Sequence, residues 1–253
     1  MRITIKTKAE IKRMRESGEK LARVLKQVLD QVKPGIKLIK LEQLAVSLIE
    51  NEEAEPNFKQ VPKYHWATCI NINQGVVHGI PDDYKIRLGD LVSIDIGLLY
   101  HGFHADMARS VLVGTEKSTR KEKFLKAGEQ TLRKAVQSAK AGNRVGHISR
   151  TIERGLKNSG YYPVKSLTGH GIGKKLHEPP SIPCFLASEI IKTPLLKAGM
   201  TIAIEVIYTQ QETDLLVNQD GWTVTTKDGS LGGLFENTVL VTGQGGEVLT
   251  SLR

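Results

Sequence analysis

Apolar residues recur at three- and four-residue steps near the start of the chain: Ile11, Met14, Leu21, Leu25, Val28, Leu29 and Val32. That period predicts an amphipathic helix, and Pro34-Gly35 ends it. Leu41, Leu44, Leu48 and Ile49 fall on one stripe of a second predicted helix. A variable loop is expected from Glu52 to Lys63, followed by a β-rich region from Trp66 to Val113. The same order then recurs. A helix is expected from about Ser118 to Lys140, a break at Ala141-Gly142, and a helix carrying Ile148, Ile152 and Leu156. A second β-rich region runs from about Val164 onward.

Identities at a constant offset of 110 residues support a copy. Gly18, Glu19 and Arg23 return as Gly128, Glu129 and Arg133. Leu-Gly-Asp-Leu-Val-Ser-Ile-Asp (88–95) maps onto Ala-Gly-Met-Thr-Ile-Ala-Ile-Glu (198–205), so Asp95 lands on Glu205. More loosely, Asp106 heading Ser-Val-Leu-Val-Gly resembles Glu236 heading Val-Leu-Val-Thr-Gly. The expectation is one domain over residues 1–253, built of pseudo-twofold halves of roughly 1–115 and 116–253. Ligand sites tend to form where such halves meet.

Hydrophobic residues make up 40% of the 253 and charged residues 25%, which excludes disorder, collagen and coiled coil as the main architecture. No run approaches the ~20 apolar residues of a membrane helix. The N-terminal stretch lacks the apolar core of a signal peptide, so a cytoplasmic location is expected. Cys69 and Cys184 do not make a disulfide framework. Lys and Arg number 36 against 27 Asp and Glu, a formal charge of +9. Such a balance suits an anionic neighbour such as a ribosome surface, though the basic residues are scattered and point to no sequence-specific nucleic acid.

Four acids stand where strands disfavour them. Asp95 interrupts Leu-Val-Ser-Ile-Asp-Ile, and Asp106, Glu205 and Glu236 lie in or beside β-branched runs. A carboxylate in such a place is costly unless paired or bound to a metal. Brought together across a pseudo-dyad, the four repel unless protonated or bridged by cations, and a two-metal site resolves this economically. His170, in Thr-Gly-His-Gly-Ile-Gly, adds a neutral ligand between glycines. Oxygen-rich ligation favours Mn²⁺, Fe²⁺ or Co²⁺, with Zn²⁺ also admissible. His78 and His177 sit beside turn residues, while His65, His101, His104 and His147 are assigned to the surface or to positions behind the ligands.

Taken together, Val77-His78-Gly79-Ile80-Pro81, Ser93-Ile94-Asp95-Ile96-Gly97, Asp106, Gly169-His170-Gly171-Ile172-Gly173, His177, Glu205 and Glu236 occur in an order that resembles the type I methionine aminopeptidases. The resemblance implies the α+β pita-bread (creatinase-like) fold, with a central antiparallel-rich sheet covered by helices. It implies removal of the initiator methionine from nascent polypeptide N-termini, by a monomeric enzyme with two divalent ions, when the second residue is small. Asp95, Asp106, His170, Glu205 and Glu236 match the five metal ligands, Asp106 and Glu236 bridging and Glu205 also moving the proton. His78 and His177 match the histidines that contact substrate. Cys69 and Trp222 match pocket residues, with Tyr64 and Phe58 as weaker matches. Val206 follows Glu205 where the family usually has Pro, which bears on the local strand geometry rather than on the ligand, and Leu176 precedes His177 where an aromatic is usual, which implies a reshaped methionine pocket. Prolidases and X-Pro aminopeptidases share the fold and ligands but resemble longer chains. A non-enzymatic adaptor would have lost ligands that are all filled here.

Overall fold

Thr7 and Glu10 cap each other at the start of the first helix: the Glu10 amide donates to the Thr7 hydroxyl and the Thr7 amide to the Glu10 carboxylate. This reciprocal cap satisfies two of the amides a helix start leaves free. From it α1 (Lys8–Leu29) runs for six turns and buries Met14, Leu21, Leu25 and Val28. The computed structural model describes residues 3–114 and 119–252. The predicted helix limit at Ser118 and the boundary between the predicted halves lie outside the described residues.

In the first half α2 (Leu38–Asn51) is followed by β1 (Glu55–Pro56), β2 (Thr68–Ile72), β3 (Gly75–Val77), β4 (Leu91–Tyr100) and β5 (Phe103–Leu112). In the second, α3 (Thr119–Ser138) and α4 (Val145–Asn158) precede β6 (Tyr162–Pro163), β7 (Thr168–Gly171), β8 (Glu178–Pro183) and β9 (Thr201–Thr209). The chain closes with β10 (Leu215–Val217), β11 (Val224–Thr226), β12 (Gly232–Val241) and β13 (Gly246–Val248). The main sheet has the order β1-β4-β5-β12-β9-β7-β8, with β2 also on β4, β6 on β9 and β13 on β12. Its named ladders are antiparallel. A smaller sheet, β10-β11-β3, stands beside it.

The stretches compared at an offset of 110 residues fall on two strands of the main sheet. β4 and β9 begin at Leu91 and Thr201, 110 residues apart, and each is an inner strand flanked by its own half's helices. α1 and α2 pack with Val92, Ile94, Ile96 and Met107 in one apolar cluster. α3 and α4 pack with Ile202, Ile204, Val239 and Val241 in another. The repeated glycines have a packing reason. A β-carbon at Gly18 would collide with the Leu249 backbone, and one at Gly128 with the rings of Tyr208 and Phe235.

The segment expected to be a loop, Glu52 to Lys63, is more ordered than that. β1 pairs with β4, and a 3-10 turn over Asn57–Gln60 follows. The fully buried Asn57 amide donates to the carbonyls of Leu98 and Ala105, fastening the turn to the β4–β5 hairpin. Polar composition hid this, because a plug of one amide into two strands leaves no periodic trace. β9 runs through Val206 unbroken, pairing with β12 from Thr201 to Thr209. Valine keeps the amide that a proline would lack.

Candidate metal centre

Strand register carries the four acids to one place. Glu205 on β9 lies directly opposite Glu236 on β12, and Glu236 lies in turn opposite Ala108 on β5. Asp95 on β4 is also opposite Ala108, and Asp106 is two residues before it on β5. His170 enters from β7, opposite Ala203 of β9. The site thus sits at the centre of the main sheet, where β5 of the first half meets β12 of the second.

The side chains converge closely. His170 Nε2 is 3.6 Å from Glu205 Oε1 and 4.0 Å from Asp106 Oδ2. Single ligand atoms of Asp106, His170 and Glu236 all lie within 4.8 Å of one another. The other ring nitrogen of His170, Nδ1, is 2.9 Å from the Gly171 carbonyl, which fixes Nε2 as the atom facing the acids. The Asp95 and Asp106 carboxyls face one another closely enough to share a proton.

Burial raises every one of these carboxyls. Asp95 is pushed up to about 7. Asp106 goes well above the usual range through burial, then through the charges of Asp95 and Glu205. Glu205 and Glu236 rise for the same reasons, the Arg109 guanidinium opposing the rise at Glu236. Burial and the neighbouring His177 bring His170 down to about 4, leaving a neutral imidazole at ordinary pH.

A second buried acid shows what a purely structural carboxylate looks like. Glu42 accepts from the amides of Ala67 and Thr68 and from the Thr68 hydroxyl, at 2.7–3.0 Å. By contrast, Asp95 Oδ1, Asp106 Oδ1 and Glu236 Oε1 are buried and find no hydrogen-bond donor among the described residues. Three orphaned acceptors in one cluster, beside a neutral imidazole nitrogen, fit divalent cations with oxygen-rich ligation.

Above the acids opens a pocket of about 240 Å³. His78 and His177 line it, the His177 ring centred 4.5 Å from that of His170 and the His78 ring 6.5 Å from that of Trp222. His78 has φ +58, a left-handed conformation that is uncommon outside glycine, and the carbonyl of the next residue, Gly79, accepts from the Ile70 amide. Tyr64, Cys69, Phe58, Leu176 and Trp222 add apolar lining. The Tyr64 hydroxyl reaches the Thr68 carbonyl at 2.8 Å and Cys69 Sγ at 3.1 Å, and its ring meets Trp222 edge-on at 5.0 Å. Every predicted site residue therefore lines this one pocket.

Leu167, Thr168 and Ile207 also line it and escaped the sequence reading. Ile207 was findable, since it lies two residues beyond Glu205 on the same face of a strand; Leu167 and Thr168 carry no such signal. His104, assigned above to the surface or to a position behind the ligands, is only 5% exposed, and its Nδ1 has no partner among the described residues. It stands two residues before Asp106 on β5, on the same face of the strand. His65 and His101 are exposed, as expected.

The sequence pattern of metallopeptidase family M24 matches residues 12–243. The chain belongs to this family, and is a metallopeptidase and hydrolase. It is 37% identical over 251 residues to the methionine aminopeptidase of Clostridium perfringens, spanning 99% of this chain and 100% of that one. The crystal structure of a methionine aminopeptidase from Thermotoga maritima superposes with a TM-score of 0.94 at 35% identity, covering 99% of this chain and 100% of the other. A prolidase from Pyrococcus horikoshii shares the fold alone: 24% identity, TM-score 0.77, 98% of this chain and 64% of that one. The architecture is the pita-bread fold. Among the described residues no helix is long and apolar enough to cross a membrane.

Proposed function

We propose that this chain removes the initiator methionine from nascent polypeptides when the second residue is small, using two divalent ions. The observation that carries the reading is the set of orphaned buried carboxylate oxygens on Asp95, Asp106 and Glu236, set against the fully satisfied Glu42. In this reading Asp95, Asp106, His170, Glu205 and Glu236 hold Mn²⁺, Fe²⁺ or Co²⁺, with Zn²⁺ also accommodated. Asp106 and Glu236, which meet from β5 and β12, would contribute to holding both ions. Bound there, the ions would supply polarisation of the scissile carbonyl and a lowered pKa for a water.

The chain's own groups do the rest. Glu205 accepts a proton from the attacking water and returns it to the leaving amine. His177, neutral because burial lowers its pKa, donates a hydrogen bond to the oxygen on which charge develops. His78, lowered by burial and by His177, stays neutral as well and binds the peptide backbone. Tyr64, Cys69 and Trp222 take the methionine side chain. Each buried CH₂ of that side chain contributes about 0.8 kcal/mol.

The same reading takes residues 1–253 as one peptidase domain of two related halves, 1–115 and 116–253. It takes the protein as a cytoplasmic monomer that associates weakly with ribosomes through charge. Hydrolysis of Met-Ala-Ser and Met-Lys-Ser with Mn²⁺ present tests the substrate assignment. The alanine peptide should be cleaved with a kcat/KM at least ~100-fold higher; equal values would refute the preference for a small second residue.

A further inference from the structure

The ladder joining β5 to β12 has only two rungs, Ala108 opposite Glu236 and Met107 opposite Asn237. At the next position, where Asp106 would pair with Thr238, the strands part. The Thr238 backbone turns instead to the C-terminal segment: its amide donates to the Thr250 hydroxyl at 3.1 Å, and its carbonyl accepts from the Leu249 amide at 2.9 Å. The Asp106 backbone, deprived of a strand partner there, is met by one group. Thr238 Oγ1 accepts from the Asp106 amide at 2.9 Å and donates to the Asp106 carbonyl at 2.8 Å. Thr238 is wholly buried and Asp106 nearly so.

The opposite end of the same seam repeats the device at a residue with no ligand to hold. Ser110 Oγ donates to the Leu234 carbonyl at 2.9 Å and accepts from the Leu234 amide at 3.0 Å. A single hydroxyl thus replaces both hydrogen bonds of a missing rung at each place. At Thr238 the residue it fastens is Asp106, whose carboxylate offers a ligand atom within 4.8 Å of ligand atoms of His170 and Glu236.

We infer that Thr238 is a positioning residue for the metal centre, its hydroxyl fixing the Asp106 carboxylate relative to Glu236 across the parted strands. Without it, the Asp106 amide and carbonyl are buried and unpaired, and the β5–β12 ladder holds Asp106 only through the neighbouring rung at Met107. Metal sites tolerate displacements of only about 0.2 Å in ligand distance. Groups that orient ligands typically change metal affinity by about 10–100-fold when removed. The inference rests on the proposal that Asp106 and Glu236 hold metal.

Calorimetric titration of EDTA-stripped protein with Mn²⁺ tests it, alongside the melting temperature of each metal-free variant. Thr238→Val keeps the shape and removes the hydroxyl, and should weaken Mn²⁺ binding by about 10–100-fold. Thr238→Ser keeps the hydroxyl and should restore wild-type affinity. Ser110→Ala opens the equivalent bracket at Leu234 and should lower the melting temperature with Mn²⁺ affinity within about twofold of wild type. Should Thr238→Val fail to fold, Thr238→Ala carries the same expectation. Wild-type affinity in the hydroxyl-free variant, or an equal loss in Ser110→Ala, would overturn the positioning role. If the wild type itself binds no Mn²⁺, the metal reading of the site falls first, and the inference with it.

Discussion

Glu205 and Glu236 lie directly opposite one another on adjacent antiparallel strands, both at the buried centre of the sheet. Like charges in that relationship repel, and burial strengthens the repulsion by lowering the local dielectric. Burial first, and then the charges of neighbouring acids, raise both carboxyls in the metal-free fold, so that protons relieve the repulsion. Cations answer it better, because they also satisfy the orphaned oxygens of Asp95, Asp106 and Glu236.

A pH dependence follows from this. Asp95, at about 7, and Asp106, Glu205 and Glu236, all raised, keep protons in the folded metal-free chain that the unfolded chain releases above pH ~4. Their contribution therefore falls as pH rises from about 4 through about 7 and beyond. His104 and His170, both near 4, with His78 and His177 also lowered, act oppositely below their ordinary 6.5, where the unfolded state binds more protons. Above about 6.5 only the carboxyl effect remains. The melting temperature of EDTA-treated protein should fall between pH ~6.5 and ~8, and saturating Mn²⁺ should abolish the fall. A metal-free melting temperature that rises across that window would contradict the assignment.

The two histidines that face each other should separate by function. His177→Ala should lower kcat on Met-Ala-Ser by about 10²–10³-fold while Mn²⁺ affinity stays near wild type, since its role is to a developing oxyanion. His170→Ala should weaken metal binding instead. Calorimetry showing His177→Ala as the variant that loses an ion would exchange the roles.

Much of this site was legible because acids in apolar strands are anomalous. Asp95 and Glu205 were visible in the repeat, and the strands place them where the repeat implied. His78 and His177 stood out less by chemistry than by neighbouring glycine and proline. What stayed hidden was held by hydroxyls and amides with no periodic signature. Asn57 fastens a supposed loop to a hairpin, and Thr238 and Ser110 replace missing rungs. Thr and Ser are ordinary strand and turn residues, so nothing in their identity reveals a backbone partner more than a hundred residues away.

Charge gives a prediction independent of the active site. With 36 Lys and Arg against 27 Asp and Glu, and 13 against 9 within residues 1–60, the chain should be drawn to rRNA phosphate by counterion release. Cosedimentation with ribosomes should be detectable at low KCl and lost at high KCl, while hydrolysis of a free tripeptide barely responds. Binding that is absent at low salt, or that persists unchanged at high salt, would remove the electrostatic account.

The most direct measurement of the dinuclear peptidase claim is metal return to stripped protein, with Met-Ala-Ser hydrolysis and bound Mn²⁺ followed together. The stripped chain should be inactive, wild type should regain activity as it takes up two ions, and Asp106→Asn should lose both stoichiometry and turnover by several orders of magnitude. Turnover by the stripped chain, or near-normal turnover and metal content in Asp106→Asn, would contradict it.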